Sequence, residues 1–392
     1  MRARKPKPGL SSPNTPLGPE DKLIRRMTTA PVERESVTPA AREARPSSQR
    51  TLVLVAGSGR SGTSLFTGIL QRLGFYVPQP EVPADETNPR GFAESQWVVD
   101  FHTRLLRRAG VEMADARPAA WAEMAHGALD EGVQGELRRW LRKQFRKNDN
   151  VVIKDPRLSW FLPLWRRSAE GLSLSPRFVT VLRHPAAVVQ SKQRSYGGWQ
   201  GDISRTAGWL NQSLFTERAT RDGRRVFVRH EELLDDWTRT IGKVGELLDL
   251  ELIRTVPAGS IVRVHEFVDK TLTRSRASWG EFELPAQLRE RADEVWDLLC
   301  RLADEQASPP EVLESLDAAR AAYVELYEDA EAIARSSIVS GRRTRSTSQI
   351  TFKGRALRLL ARAFPRRYAH KVPVRWRRRI GRMLQRSGAS AR

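Results

Sequence analysis

The chain has 392 residues and a mass of 44.4 kDa, enough for one large α/β domain or two average ones and for a substantial core. Its formal charge of +21 sits at the ends: residues 1–50 hold 11 Lys and Arg against 5 acids, residues 341–392 hold 17 against none, and residues 51–340 are nearly neutral. The single cysteine, Cys300, excludes a disulfide framework and a cysteine-based zinc site. With no run near the ~18 apolar residues of a membrane span and no apolar signal segment, a soluble, cytoplasmic body is expected.

Residues 1–50, rich in Pro, Ser, Thr and Arg and without an apolar period, are expected to form a disordered basic leader. Thr51 to Ala56 is a short β-branched apolar run ending in Gly57-Ser58-Gly59, the pattern of a buried strand entering a glycine turn. Leu65, Phe66, Ile69, Leu70 and Leu73 then recur at helical spacing, and Gly74 is the stop. Residues 78–93, with four prolines, Asn88 and Gly91, read as a long loop, after which Trp97, Val98, Phe101 and Leu105 resume the helical period over 94–108. Helical patterns over 119–127 and 130–146 lead to a second strand, Val151 to Lys154. A third strand, Phe178 to Leu182, ends at Arg183-His184-Pro185, where the proline suits a first helical turn. Val226-Phe227-Val228 makes a fourth, and residues 284–335 are helical. This alternation implies an α/β fold, a parallel β-sheet flanked by helices on both faces, with the loops at 57–62, 154–157 and 183–185 gathered along one sheet edge.

The segment Gly57-Ser58-Gly59-Arg60-Ser61-Gly62-Thr63-Ser64, between strand and helix, offers consecutive backbone N–H groups and a helix dipole to an anion. A Walker A loop places lysine where this chain has Thr63; here Arg60 supplies the cation from inside the loop. Lys154-Asp155-Pro156-Arg157 follows the second strand, and only 11 of the 67 basic residues are lysine. The Lys154 ammonium could reach a leaving-group oxygen, and Arg157 could hold a carboxylate or phosphate two-handedly. Alternatively Lys154 pairs with Asp155, or Asp155 is a metal ligand. Arg183, leaving the third strand, and Ser191, eight residues on, suit a second phosphate group. These residues leave open a P-loop kinase or NTPase with a degenerate Walker A loop, and a non-catalytic basic interaction protein on a P-loop scaffold.

Taken together the motifs resemble the sulfotransferases that use 3′-phosphoadenosine-5′-phosphosulfate (PAPS). Gly59 to Ser64 is similar to their 5′-phosphosulfate loop, and Arg183 with Ser191 to their 3′-phosphate site. The NPxGxxE stretch from Asn88 to Glu94, the KDPR stretch and Val228 to Leu234 resemble the bacterial branch, over roughly residues 51–280. The resemblance implies a P-loop-NTPase-like sulfotransferase fold in a domain spanning 51–340. It further implies metal-free transfer of a sulfuryl group from PAPS to a hydroxyl or amine of a carbohydrate, glycolipid or other small acceptor, with release of 3′,5′-ADP. A sulfuryl group carries less charge than a terminal phosphoryl group, so cations and N–H donors suit its transfer. Carried over by position, Gly59, Arg60, Ser61, Gly62, Thr63 and Ser64 bind the 5′-phosphosulfate, Arg183 and Ser191 the 3′-phosphate, and Arg60 and Lys154 the bridging oxygen. Cytosolic members have a histidine where this chain has Pro156, so the base is assigned to a carboxylate, Glu94, with Glu81 as rival. His102 and His184 are read as structural. The family's C-terminal Arg-Lys-Gly contact has no clean counterpart, Arg274 and Arg276 being substitutes.

The loop 78–93 and the segment from Tyr196 to Trp209 are expected to wall the acceptor pocket. In the tail, Arg355, Arg358 and Arg362 oppose Leu357, Leu360 and Phe364, and after Pro373 the pattern returns with Trp376, Ile380 and Met383. Two cationic amphipathic helices follow, with an anionic membrane surface, at the inner face, as expected partner and packing on the body as the alternative; nucleic acid is disfavoured.

Overall fold

A computed structural model describes residues 50–197, 200–268, 278–280, 282–305 and 308–344, with side chains of the last segment to Ser336. The leader before Arg50, Arg274, Arg276 and the tail beyond Thr344 lie outside the described residues.

Four strands, β1 (Thr51–Ala56), β2 (Asn150–Lys154), β3 (Arg177–Leu182) and β4 (Arg224–Arg229), form one parallel sheet in the order β2-β1-β3-β4. Register places Val55 beside Lys154, Ala56 beside Thr180 and Leu182 beside Arg229, so all four strands end along one edge. The strand centres are mostly apolar because both faces are covered, with polar and charged residues mainly at the strand ends. Leu52, Leu54, Val151, Ile153 and Phe178 face one layer, and Val53, Val55, Val152, Val179 and Val181 the other.

The first layer holds α2 (Gln96–Ala109), α3 (Ala120–Ala128), α4 (Glu131–Phe145) and α5 (Leu162–Glu170). On the other face lie α1 (Thr63–Arg72), α8 (His230–Asp235) and α9 (Trp237–Leu247), followed by α10 (Glu251–Arg254) and α11 (Ala258–Phe267). Phe66, Ile69 and Leu70 of α1 are fully buried, each contributing about 1.5–3 kcal/mol. Beyond β3 and β4, α6 (Pro185–Tyr196), α7 (Asp202–Thr220), α12 (Ala286–Asp304) and α13 (Pro310–Thr344) enclose a third cluster around Val188, Leu210, Val295 and Tyr323.

The helix expected from residue 94 starts instead at Gln96, after the Ser95 cap. Ala93 takes a left-handed φ of +51°, and the chain at Glu94 pairs back on the preceding loop, Val82 N–H donating to Glu94 O at 2.8 Å. Glu94 therefore precedes the helix. The helical stretch from 284 divides at Pro309, and α13 continues past the expected limit of 335 to Thr344. Among the described residues no helix is long and apolar enough to cross a membrane.

Candidate active site

The glycine loop between β1 and α1 is shaped by three residues with positive φ: Gly57 (+144°), Arg60 (+77°) and Gly62 (+99°). A Cβ on Gly62 would come within 2.2 Å of the His230 ring, and one on Gly57 within 2.6 Å of Val181 O, so both positions demand glycine. Arg60 is a non-glycine in a conformation that costs about 1–3 kcal/mol. It is held there by Arg183 Nη1, which donates to Arg60 O at 3.0 Å. Its own Nε donates to Ser191 Oγ at 3.1 Å, and its Nη1 to Thr87 O in the proline-rich loop at 3.2 Å. The two halves of the expected 3′-phosphate pair are thus joined through the arginine of the 5′ loop. The Ser61 hydroxyl is buried without a hydrogen-bond partner among the described residues. Such an orphan costs about 1–3 kcal/mol, a cost a bound anion would remove.

Lys154, at the end of β2, and Glu94 meet at the start of α1. Lys154 Nζ donates to Glu94 Oε1 at 2.5 Å, to Ser64 Oγ at 2.9 Å and to Phe92 O at 3.3 Å, so its three donors are all engaged. Its partner is Glu94 rather than the neighbouring Asp155. Burial raises the Glu94 carboxyl above the ordinary range, against the pull of Lys154. Glu81, the rival base, accepts from Gln71 Nε2 and Gln79 Nε2, both at 2.7 Å, and makes no contact with Lys154.

Asp155 faces away from the lysine into a buried line of polar groups. Trp165 Nε1–H donates to His102 Nε2 at 2.9 Å, which places the imidazole proton on Nδ1, and Nδ1–H donates to Asp155 Oδ2 at 2.8 Å. Burial pushes the His102 ring below its ordinary value and keeps it neutral. Asp155 Oδ1 accepts from the Arg157 backbone N–H at 3.0 Å and Nη1 at 2.8 Å. Burial opposes ionisation of Asp155, but Arg157 and His102 outweigh it and hold the carboxyl well below the usual range. Both oxygens of Asp155, a metal ligand only on the alternative reading, are engaged by protein groups. His184 is structural too, its Nδ1 accepting from Ala186 N–H at 3.2 Å to cap α6.

Two residues at the site escaped sequence reasoning. Lys192, next to Ser191 and buried, donates to Ser58 Oγ in the glycine loop at 3.2 Å. Burial, reinforced by Arg205, lowers its ammonium to about 8. Its scarcity as a lysine beside Ser191 was the one available signal. His230 covers Gly62, and burial together with Arg183 lowers its ring to about 4, so it is neutral. Of the expected acceptor walls, Tyr196 is exposed whereas Trp209 is buried in the third cluster and lines a crevice with Ser58, Ser61 and Arg183.

A model of the sulfotransferase family matches residues 53–254, from within β1 to the end of α10. No curated protein sequence matches the chain. Among solved structures, the sulfotransferase domain from the Synechococcus PCC 7002 olefin synthase is similar at 15% identity, covering 64% of this chain and 94% of that one, with a TM-score of 0.39.

Proposed function

The chain belongs to the sulfotransferase family, and from that premise we propose that it moves a sulfuryl group from PAPS to a hydroxyl or amine of a small acceptor, of carbohydrate or glycolipid type, releasing 3′,5′-ADP. The reading is supported by one observation above others: Arg60 of the glycine loop is linked by direct hydrogen bonds to both Arg183 and Ser191 of the β3–α6 stretch.

The residues fit the donor. Gly57 and Gly62, packed against Val181 O and the His230 ring, let the loop take the positive φ values that shape its turn, and the buried Ser61 hydroxyl lacks a partner within the described residues. In this reading Gly59, Arg60, Ser61, Gly62, Thr63 and Ser64 hold the 5′-phosphosulfate, and Arg183 with Ser191 the 3′-phosphate. PAPS supplies the sulfuryl group. Lys154 and Arg60 place positive charge where the bridging oxygen gains electrons, and Glu94 accepts the proton of the attacking hydroxyl or amine. Burial suits Glu94 to that task, since a raised carboxyl is the stronger base. The transfer domain spans residues 51–340 and acts in the cytoplasm, the basic tail resting on an anionic inner membrane face; no nucleic-acid partner is expected.

Calorimetry tests the donor assignment. The protein should bind 3′,5′-ADP and bind magnesium ATP far more weakly, and Arg60→Ala or Arg183→Ala should weaken 3′,5′-ADP by about tenfold or more, as expected for a lost charge-assisted bond. Unchanged affinity in both variants would sink the assignment. With labelled PAPS and an acceptor panel, Glu94→Gln should lower kcat by about 10²–10⁴.

A further inference from the structure

The KDPR turn carries more than the donor reading uses. Pro156 lies against the glycine loop, its Cβ 3.7 Å from where a Cβ on Gly59 would stand, and Gln212 Nε2 of α7 donates to Pro156 O at 2.9 Å. Arg157, the next residue, is therefore held beside the loop. Its backbone N–H and Nη1 are fixed to Asp155, and Asp155 is fixed by His102 and Trp165, so a buried line crossing from α5 through α2 orients one guanidinium. Asp155 and His102 have fully buried side chains, whereas that of Arg157 is 23% exposed. With Nη1 occupied, Nε and Nη2 remain, the two donors that share one edge of the fork. Neither bonds any described residue. Glu94 and Tyr196 both lie close enough to act on this guanidinium, so it stands near the candidate base and the expected acceptor wall. A purely structural arginine would need only its bonds to Asp155; a rigidly oriented, open fork matches a planar or tetrahedral oxyanion two-handedly.

We propose that the Nε–Nη2 edge of Arg157 is an oxyanion seat at the transfer site, distinct from the positions that hold the donor's two nucleotide phosphates. The inference rests on the PAPS reading of the same site. Its occupant is either the sulfuryl group in transit or an acidic group on the acceptor, and one edge serves both chemistries.

Inorganic sulfate is the probe. Titrated at millimolar concentration into the full chain saturated with 3′,5′-ADP, sulfate should bind without displacing the nucleotide. Arg157→Gln should weaken sulfate at least tenfold while 3′,5′-ADP affinity stays within twofold, which also shows that the variant is folded. Arg157→Lys, a charge without a fork, should recover only part of the loss. Exclusion of sulfate by PAPS assigns the seat to the sulfuryl group; sulfate binding that persists with PAPS assigns it to an acid on the acceptor. Equal sulfate binding by Arg157→Gln, or sulfate that merely competes with 3′,5′-ADP, overturns the proposal. Failure of 3′,5′-ADP itself to bind overturns the donor reading, and the seat falls with it.

Discussion

Replacing Lys154 by Met removes the cation from a pair whose side chains are only 2% and 8% exposed, leaving Glu94 buried beside Asp155. Breaking such a pair from one side costs about 3–5 kcal/mol, since the remaining charge keeps its desolvation penalty and loses its compensation. Glu94 can escape by taking up a proton. Burial already raises its carboxyl and Lys154 alone leads the opposition, so the variant's folded state binds that proton far more readily than the unfolded chain. The sign follows: below the unfolded carboxyl value, about 4.3, both states are protonated and the penalty is small. As pH rises through the window up to the raised folded value, the unfolded chain gains by ionising and stability is lost. Urea unfolding of Lys154→Met should thus show a deficit that is modest at pH 5 and near the full amount at pH 8. Adding Glu94→Gln removes the stranded carboxylate and should recover most of it, a coupling of about 2–3 kcal/mol in the double-mutant cycle. A deficit under about 0.5 kcal/mol at pH 8, or no recovery in the double variant, would refute the reasoning. The double variant should still bind 3′,5′-ADP while transferring no sulfuryl group, which separates the pair's structural contribution from its chemistry.

Lys192 gives a second pH dependence. Burial and Arg205 lower its ammonium to about 8, and a bound polyanion favours the charged form, so 3′,5′-ADP affinity should be level below about pH 8 and fall by up to about tenfold per unit above it. Lys192→Met should flatten that profile; an unchanged slope would remove Lys192 from the site. Besides Arg205 of α7, which acts on Lys192 directly, Arg60 of the glycine loop bonds the adjacent Ser191, while Asp202 is turned toward Arg205 and Gln193. Gly62→Ala combines a φ of +99° with a Cβ 2.2 Å from the His230 ring, so it should lower 3′,5′-ADP affinity more than tenfold even where circular dichroism shows a folded chain. Removing residues 345–392, which leaves α13 whole, should abolish salt-sensitive binding to anionic vesicles and leave 3′,5′-ADP affinity within twofold. Persisting vesicle binding would move the membrane contact to the body.

The strands were legible because a strand covered on both faces needs a nearly continuous apolar run, and Leu52 to Ala56, Val151 to Ile153 and Phe178 to Leu182, broken only by the buried Thr180, have one. The glycine loop was legible because its chemistry is local: Gly57 and Gly62 answer positive φ values within a few residues. Arg183 and Ser191 could be paired because one helix carries the second eight residues after the first. Contacts between distant segments were hidden. Glu94 reads as first-turn helix by its spacing, and only the loop's return onto Val82 removes it from the helix and turns it to Lys154, sixty positions away. Lys192 and Ser58 stand 134 positions apart, and His102 and Asp155 53 apart, so no periodicity links them.

The charge of the body acquires a physical meaning from those distant contacts. Residues 51–340 are nearly neutral in sum, yet the edge where the strands end gathers Arg60, Lys154, Arg157, Arg183 and Lys192. Lys154 and Arg157 are each met by a carboxylate, whereas Arg60 bonds a hydroxyl and a carbonyl, and Lys192 a hydroxyl. Buried or half-buried cations that end on neutral oxygens carry a desolvation cost that the folded chain does not offset internally. An anion arriving at this edge would supply the missing compensation, and the difference between the two sets predicts where its charge goes. Arg60 and Lys192 strengthen binding in proportion to the anion's charge. Lys154 and Arg157, already neutralised, change it little and act instead on the group being transferred. Accordingly 3′,5′-ADP affinity should respond to Arg60→Ala and Lys192→Met and be nearly indifferent to Arg157→Gln. Turnover should respond to all three, and an Arg157→Gln variant that lost nucleotide affinity as severely as Arg60→Ala would show that the division is wrong.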